Sequence, residues 1–226
     1  MDFATISQNL IKVFSQYWEV FLIEGVKNTL ILSLITVAFG SVIGALLCMG
    51  KMSRIAPLRW VITALVEIVR GTPMLLQLYL GYFILPKIIT FVQLSEFASI
   101  TLALVINSAC YVSEVIRSGI QAVDKGQNEA ARSLGLGRSA SMLFVVLPQA
   151  VKNILPALGN EFITVIKETS LASTFFIGDL MTSFKIVNGV TYLTLEPLII
   201  IGIIYFVLTF TLSKLLGLAE RKMKHA

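Results

Sequence analysis

Charge is scarce in this sequence. Of its 226 residues 14% are charged and 56% hydrophobic, with a mean hydropathy of +0.85, where a soluble domain carries about 25% charged residues. That balance excludes a water-soluble domain and points to a membrane protein. Cysteine and histidine are nearly missing. Cys48 and Cys110 lie inside apolar runs without adjacent His or acidic residues, and the one histidine, His225, is next to last in the chain. Metal sites and histidine chemistry are thereby excluded, and the cysteines read as buried small hydrophobes. No Gly-x-x-x-x-Gly-Lys-Ser/Thr phosphate loop occurs, so the chain is not its own ATPase and not an enzyme, and no cofactor is expected on it. Ten-residue segments of alternating polarity are also missing: the run 198–207 is apolar almost throughout. That excludes a β-barrel in favour of helices. The N-terminus has no basic region followed by a short apolar stretch and a small-residue cleavage site, so no removable signal peptide is expected. No basic stripe with interleaved aromatics stands outside the loops, which speaks against a nucleic-acid partner.

What is there is a set of apolar runs. A helix needs about 20 mainly apolar residues to cross the hydrocarbon core. Residues 28–49 and 197–213 carry no charge, and 61–85, 97–115 and 154–177 are apolar with a few ionisable interruptions. The fold expected is all-α, with about five transmembrane helices. Basic residues favour the cytoplasmic side of short loops. Lys51, Arg54 and Arg59 follow the first run; Arg117, Lys125, Arg132, Arg138 and Lys152 surround the loop after the third; Lys214, Arg221, Lys222 and Lys224 follow the fifth. The opposite set holds only Lys12, Lys27, Lys87 and Lys185. Five crossings then place the N-terminus outside and the C-terminus inside, and the net charge of +5 is mainly topology. Residues 1–24 form an N-terminal segment, with an amphipathic helix over 6–21 expected on the outer surface and Trp18 at headgroup depth. Residues 25–218 are the transmembrane domain, and 219–226 a basic cytoplasmic tail. In the first run, Gly40 and Gly44 suit close helix packing.

One hydrophilic loop, 121–148, stands apart. Asp124 with Gln127 three positions on has the spacing of a capping box, and Gly135 offers a left-handed stop. A second short helix is expected from a Ser139 cap to Leu147, with a break at Pro148. Both would lie at the cytoplasmic surface.

Read literally, the loop contains Glu129-Ala130-Ala131, then Gly135, then Val145, one residue, and Leu147-Pro148. It resembles the EAA loop of ABC importer permeases, whose pattern is Glu-Ala-Ala, Gly at this offset, and Ile-x-Leu-Pro; Val145 is the one departure. Further stretches look like the polar amino-acid uptake permeases of the histidine, glutamine and arginine type. These are Gly25-Val26-Lys27-Asn28-Thr29-Leu30, Glu67-Ile68-Val69-Arg70-Gly71-Thr72-Pro73, Tyr111-Val112-Ser113-Glu114, Gly126-Gln127, Asn160-Glu161 and Lys167-Glu168-Thr169-Ser170-Leu171.

The resemblance implies the type I importer permease fold in a bacterial plasma membrane. It assigns Gly126, Glu129, Ala130, Ala131, Gly135, Leu147 and Pro148 to coupling with a separate ATPase subunit, which would hold ATP and magnesium. It also implies a second permease subunit, identical or homologous, and an extracytoplasmic amino-acid-binding protein. Membrane lipid and the amino-acid solute complete the expected partners. On composition alone, Ala130 and Ala131 read equally as good helix formers and Glu129 as a favourable first-turn charge.

Ionised side chains at mid-membrane cost about 2.5–3.5 kcal/mol on insertion scales, so each needs a partner or a wet cavity. Asn107, Tyr111, Glu114 and Ser118 recur at helical spacing on one stripe, and Asn160, Glu161, Thr164, Lys167 and Glu168 share one arc. Both faces are expected to look inward. The second run adds Thr63, Glu67, Arg70 and Gln77, interrupted at Gly71-Thr72-Pro73, and broken helices recur at transporter sites. Duller readings stand beside these. Glu67 and Arg70 form an i,i+3 pair able to neutralise itself, Lys167 and Glu168 serve equally as structural glue, and Asn107, Asn160 and Thr164 as inter-helix hydrogen bonds. The acidic excess of these faces suits a basic amino acid, with glutamine the alternative. A passive channel and a non-transporting membrane scaffold are the rival functional classes.

Overall fold

The computed structural model describes residues 3–90 and 93–225. Met1, Asp2 and Ala226, at the ends of the expected N-terminal segment and tail, lie outside the described residues, as do the side chains of Lys224 and His225. All regular structure among the described residues is helical. Helix α1 (Phe3–Trp18) passes through a π-helical stretch (Glu19–Gly25) into α2 (Val26–Lys51); α3 (Ala56–Arg70), α4 (Met74–Ile88) and α5 (Glu96–Gln121) follow. Next come α6 (Lys125–Ser133), α7 (Arg138–Ser141), a π stretch (Met142–Val146), α8 (Leu147–Glu168), a 3-10 stretch (Thr169–Phe175), α9 (Leu180–Thr191) and α10 (Leu195–His225).

Among the described residues four helical runs are long and apolar enough to cross a membrane: Ala4–Lys51, Glu96–Gln121, Arg138–Phe175 and Leu195–Lys222. The pair α3 and α4 qualifies together but is bent by 108°, making the count five if the bent pair is one span. The five apolar runs of the sequence are therefore all found. Their outward residues are apolar: Leu34, Phe39, Val42 and Leu46 on α2, and Ile203, Phe206 and Phe210 on α10, are exposed. Such faces are stable when lipid is the solvent.

The described residues group into two compact units, one of Met1–Thr36, Pro73–Leu104 and Ile163–Ser213, the other of Val37–Thr72, Val105–Phe162 and Lys214–Ala226. In the first unit α1, kinked at Tyr17, runs on through the π stretch into α2. Val13 and Phe21 are buried with Leu180, Val187, Ile200 and Ile201. The π stretch has a cause: a Cβ on Gly25 would stand 2.5 Å from the Ser183 hydroxyl, and that hydroxyl donates to the Val20 carbonyl at 2.9 Å. A widened turn releases a carbonyl that a neighbouring side chain takes up. A second core gathers Leu32, Leu78, Ile100, Leu104 and Ala172.

In the second unit small residues let helices approach. A Cβ on Gly44 would lie 2.8 Å from the Ala109 carbonyl, and one on Gly40 2.9 Å from the Ser108 hydroxyl, so the close packing expected at both is present. Cys48 and Cys110 are buried, as expected.

Two expectations are corrected. The second helix of the loop is capped at Gly137, not Ser139, and it does not end at Pro148. Its turns run on as the span Arg138–Phe175. Proline lacks an N–H and its ring collides with the carbonyl four residues back; here the π stretch, in which Leu147 N–H reaches Met142 O, opens the turn that Pro148 would otherwise break. From residue 219 on the backbone continues as the last turns of α10.

Candidate functional site

Two sites build up from the second unit. The first is the segment around α6. Asp124 accepts a hydrogen bond from Gly126 N–H at 2.8 Å, so the expected cap is made. The return half of the capping box is not, because the Gln127 side-chain Oε1 accepts instead from Gln149 Nε2 at 3.2 Å. Gly135, at φ +90°, ends the helix as expected: Leu136 N–H donates to Ala131 O at 3.1 Å and Gly135 N–H to Arg132 O at 3.0 Å, the paired bonds of a Schellman stop. A Cβ there would meet nothing within 4 Å, so glycine is required by the left-handed backbone and not by space.

Ala131 is buried, and the Ser141 hydroxyl donates to Asn128 at 2.6 Å, which fastens α6 to the start of the next helical run. Gly126, Glu129 and Ala130 stay exposed. So does Leu134, at 83% of its surface, a residue the sequence reading passed over. Leu147 is half-buried and Pro148 exposed, both on the first turn of α8.

The second site is a cavity of about 520 Å³ lined by Lys51, Arg59, Trp60, Thr63, Glu67, Arg70, Glu114 and Arg117. Glu114, its side chain 16% exposed, is ion-paired with Lys51, with Arg117 at 3.3 Å and with Arg70 at 3.8 Å. The Arg70 guanidinium also stands over the Tyr111 ring, 5.3 Å from its centroid, a favourable cation–π arrangement. Arg70 therefore turns to α5 and not to Glu67, its neighbour one turn away, and the self-neutralising pair is not formed. Glu67 has no ion pair among the described residues. Four cations face two carboxylates in this cavity, the reverse of the acidic excess counted over the faces as a whole.

The break above Arg70 is built locally. Gly71 N–H closes α3 on Glu67 O at 2.8 Å, the Thr72 hydroxyl donates to Ile68 O at 3.0 Å and Val69 O at 3.1 Å, and Pro73, extended at ψ 136°, starts α4. The Ile68 and Val69 carbonyls at the end of α3 thus both accept from the Thr72 hydroxyl.

The two predicted stripes are not uniform. On α5, Asn107 is buried, Glu114 half-buried, and Tyr111 and Ser118 exposed. On α8, Glu161 accepts from the Ser108 hydroxyl at 3.1 Å and Asn160 is exposed. Thr164, Lys167 and Glu168 fall in the first unit, Lys167 exposed and the other two half-buried. Lys51 and Arg59 entered the sequence reading only as markers of topology, Arg117 as a marker of topology within a stretch, Arg117-Ser118-Gly119-Ile120, that resembles the family, and Trp60 not at all. Trp60, Thr63, Glu67 and Arg70 recur at steps of three and four, a helical stripe that was there to be found.

Known proteins resemble this chain over most of its length. Residues 36–225 match the profile of the family described as binding-protein-dependent transport system inner membrane component. The chain is 42% identical to the arginine transport system permease protein ArtQ of Bacillus subtilis (strain 168), over 90% of this chain and 93% of that one. It is 41% identical to the putative glutamine transport system permease protein GlnP of Rickettsia bellii (strain RML369-C), with the same coverage. The crystal structure of an amino acid ABC transporter with histidines superposes with a TM-score of 0.88 at 45% identity, covering 98% of this chain and 99% of that one.

Proposed function

The chain belongs to the family of binding-protein-dependent transport system inner membrane components, and from that premise we propose how it is energised and what it carries. It is a multi-pass permease subunit of an ABC importer for amino acids. In the proposed assembly two such subunits, identical or homologous, form one pathway. Each offers α6 to an ATPase subunit inside, which holds ATP and magnesium, while an extracytoplasmic binding protein delivers solute outside. Closure of the ATPase pair moves α6 and switches the helices between inward-open and outward-open states as rigid bodies.

The observation that carries this is the Glu129-Ala130-Ala131 turn on a capped, exposed helix ended by Gly135. A short helix with small residues and one carboxylate that makes no ion pair among the described residues suits a groove on a partner. Replacing Glu129 with Lys should abolish both co-purification of the ATPase and solute uptake; if both persist, α6 is not the contact. Uptake that continues after ATP depletion would favour the passive channel. Unaltered uptake after changing Asn160 and Glu161 to Leu would remove both from the pathway.

The solute is a polar amino acid, with arginine, lysine and histidine ahead of glutamine. The arginine permease and the transporter solved with histidines support that order, and the glutamine permease supplies the alternative. Competition is decisive: unlabelled glutamine that displaces labelled arginine uptake as well as arginine itself would reverse the order.

A further inference from the structure

We propose that the corner between α2 and α3 docks an anionic phospholipid of the inner leaflet, its phosphate held by Arg54 and Arg59 and its chains lying along Ile55, Leu58 and Trp60. The inference depends on the chain's place in the membrane and not on the solute or the ATPase.

The corner begins where α2 ends, at Lys51, and the basic residues there put it on the cytoplasmic side. From Gly50 to Val66 the sequence holds no Asp or Glu. Lys51 is taken by Glu114. Arg54 and Arg59 are exposed and form no ion pair among the described residues.

Their placement is not that of two scattered surface charges. Ile55 is the residue that caps α3, so Arg54 immediately precedes the cap and Arg59 stands four residues after it. Residues at these two positions ordinarily meet across the entry to a helix as an apolar pair. Here both are arginine. Like charges so placed repel unless an anion sits between them, and guanidinium groups take phosphate oxygens through paired N–H donors.

What lies beside the arginines is apolar. Met52, Ile55, Leu58, Trp60 and Val61 are all exposed, Trp60 over 72% of its surface. Water is a poor solvent for that set, whereas hydrocarbon beneath a phosphate suits both the apolar residues and the cations. A tryptophan at headgroup depth fits the same setting. Arg59 and Trp60 also line the cationic cavity, whose surplus of positive charge adds to the attraction for an anion.

The chain has two tryptophans, so Trp18→Phe leaves Trp60 as the sole reporter. The full-length permease with that change is placed in phosphatidylcholine nanodiscs containing brominated phosphatidylglycerol or brominated phosphatidylcholine at equal mole fraction. Phosphatidylglycerol should quench Trp60 more strongly, with a relative affinity of about 30, since each arginine near the surface contributes about fivefold. Arg54→Gln and Arg59→Gln should each lower that preference about fivefold, and together bring it near unity. Lys152→Gln, which removes an exposed cation of α8, should leave it unchanged. Native mass spectrometry needs no tryptophan change: phosphatidylglycerol should stay on the parent chain and be lost from the doubly substituted one. Equal quenching by the two lipids, a preference that survives the double substitution, or an equal loss from Lys152→Gln would overturn the site. Competition by millimolar inorganic phosphate would make it a soluble-anion site, and loss of ATPase co-purification with the lipid preference intact would give the patch to a protein partner; either result ends the proposal.

Discussion

The α6 segment and the Glu114 cluster both concentrate polar residues in an apolar chain, yet they dispose of them in opposite ways. Around Glu114 the charges are answered within the chain, by Lys51, Arg70 and Arg117. On α6 the backbone is answered, by the Asp124 cap and the Gly135 stop, while Glu129 and Leu134 are offered outward. Groups satisfied internally hold a structure together. Groups left open at a well-capped surface helix suit a partner's groove, the role proposed for α6.

That contrast can be broken by four substitutions, in falling order of effect. Glu129→Lys should abolish both uptake and ATPase co-purification, with the thermal midpoint of the isolated permease unmoved; a lowered midpoint would make Glu129 a structural residue. Glu114→Leu should do the reverse, lowering stability by about 3 kcal/mol in denaturant titration, because it leaves three cations without their carboxylate. Partial exposure of the cluster keeps the effect at the lower end of the range for buried pairs. Gly135→Ala should cost about 1–2 kcal/mol through the left-handed backbone alone, since the surrounding space is empty; it is read as a several-fold loss of uptake, and a neutral result would remove the Schellman stop from the coupling geometry. Asp124→Ala should cost about 1 kcal/mol of local helix stability, visible as faster amide exchange across 125–133 and not elsewhere.

Legibility differed between these regions for a physical reason. Caps and stops are local, made by residues two to five apart, so Asp124 and Gly135 were readable from spacing. Gln127 was misread because its side chain found a partner in Gln149, 22 positions away. The Glu114 cluster draws on α2, α3 and α5, and no periodicity within one helix reveals which stripe faces which. Lys51 therefore looked like a topology marker and Glu67–Arg70 like a local pair. Pro148 was misjudged because a break was inferred from one residue, whereas the π stretch before it spreads the disturbance over five.

By itself the amino-acid chain determined that this protein is helical, lies in a membrane, has about five apolar runs and carries a capped surface helix with the Glu-Ala-Ala pattern. All of these follow from composition, from periodicity, or from bonds between near neighbours. Tertiary structure alone decided that Arg70 leaves Glu67 for Glu114, that the N-terminal helix fuses with the first span, and that the cavity is cationic. Those outcomes are set by the distances between side chains on different helices, and no spacing along one strand of sequence contains them.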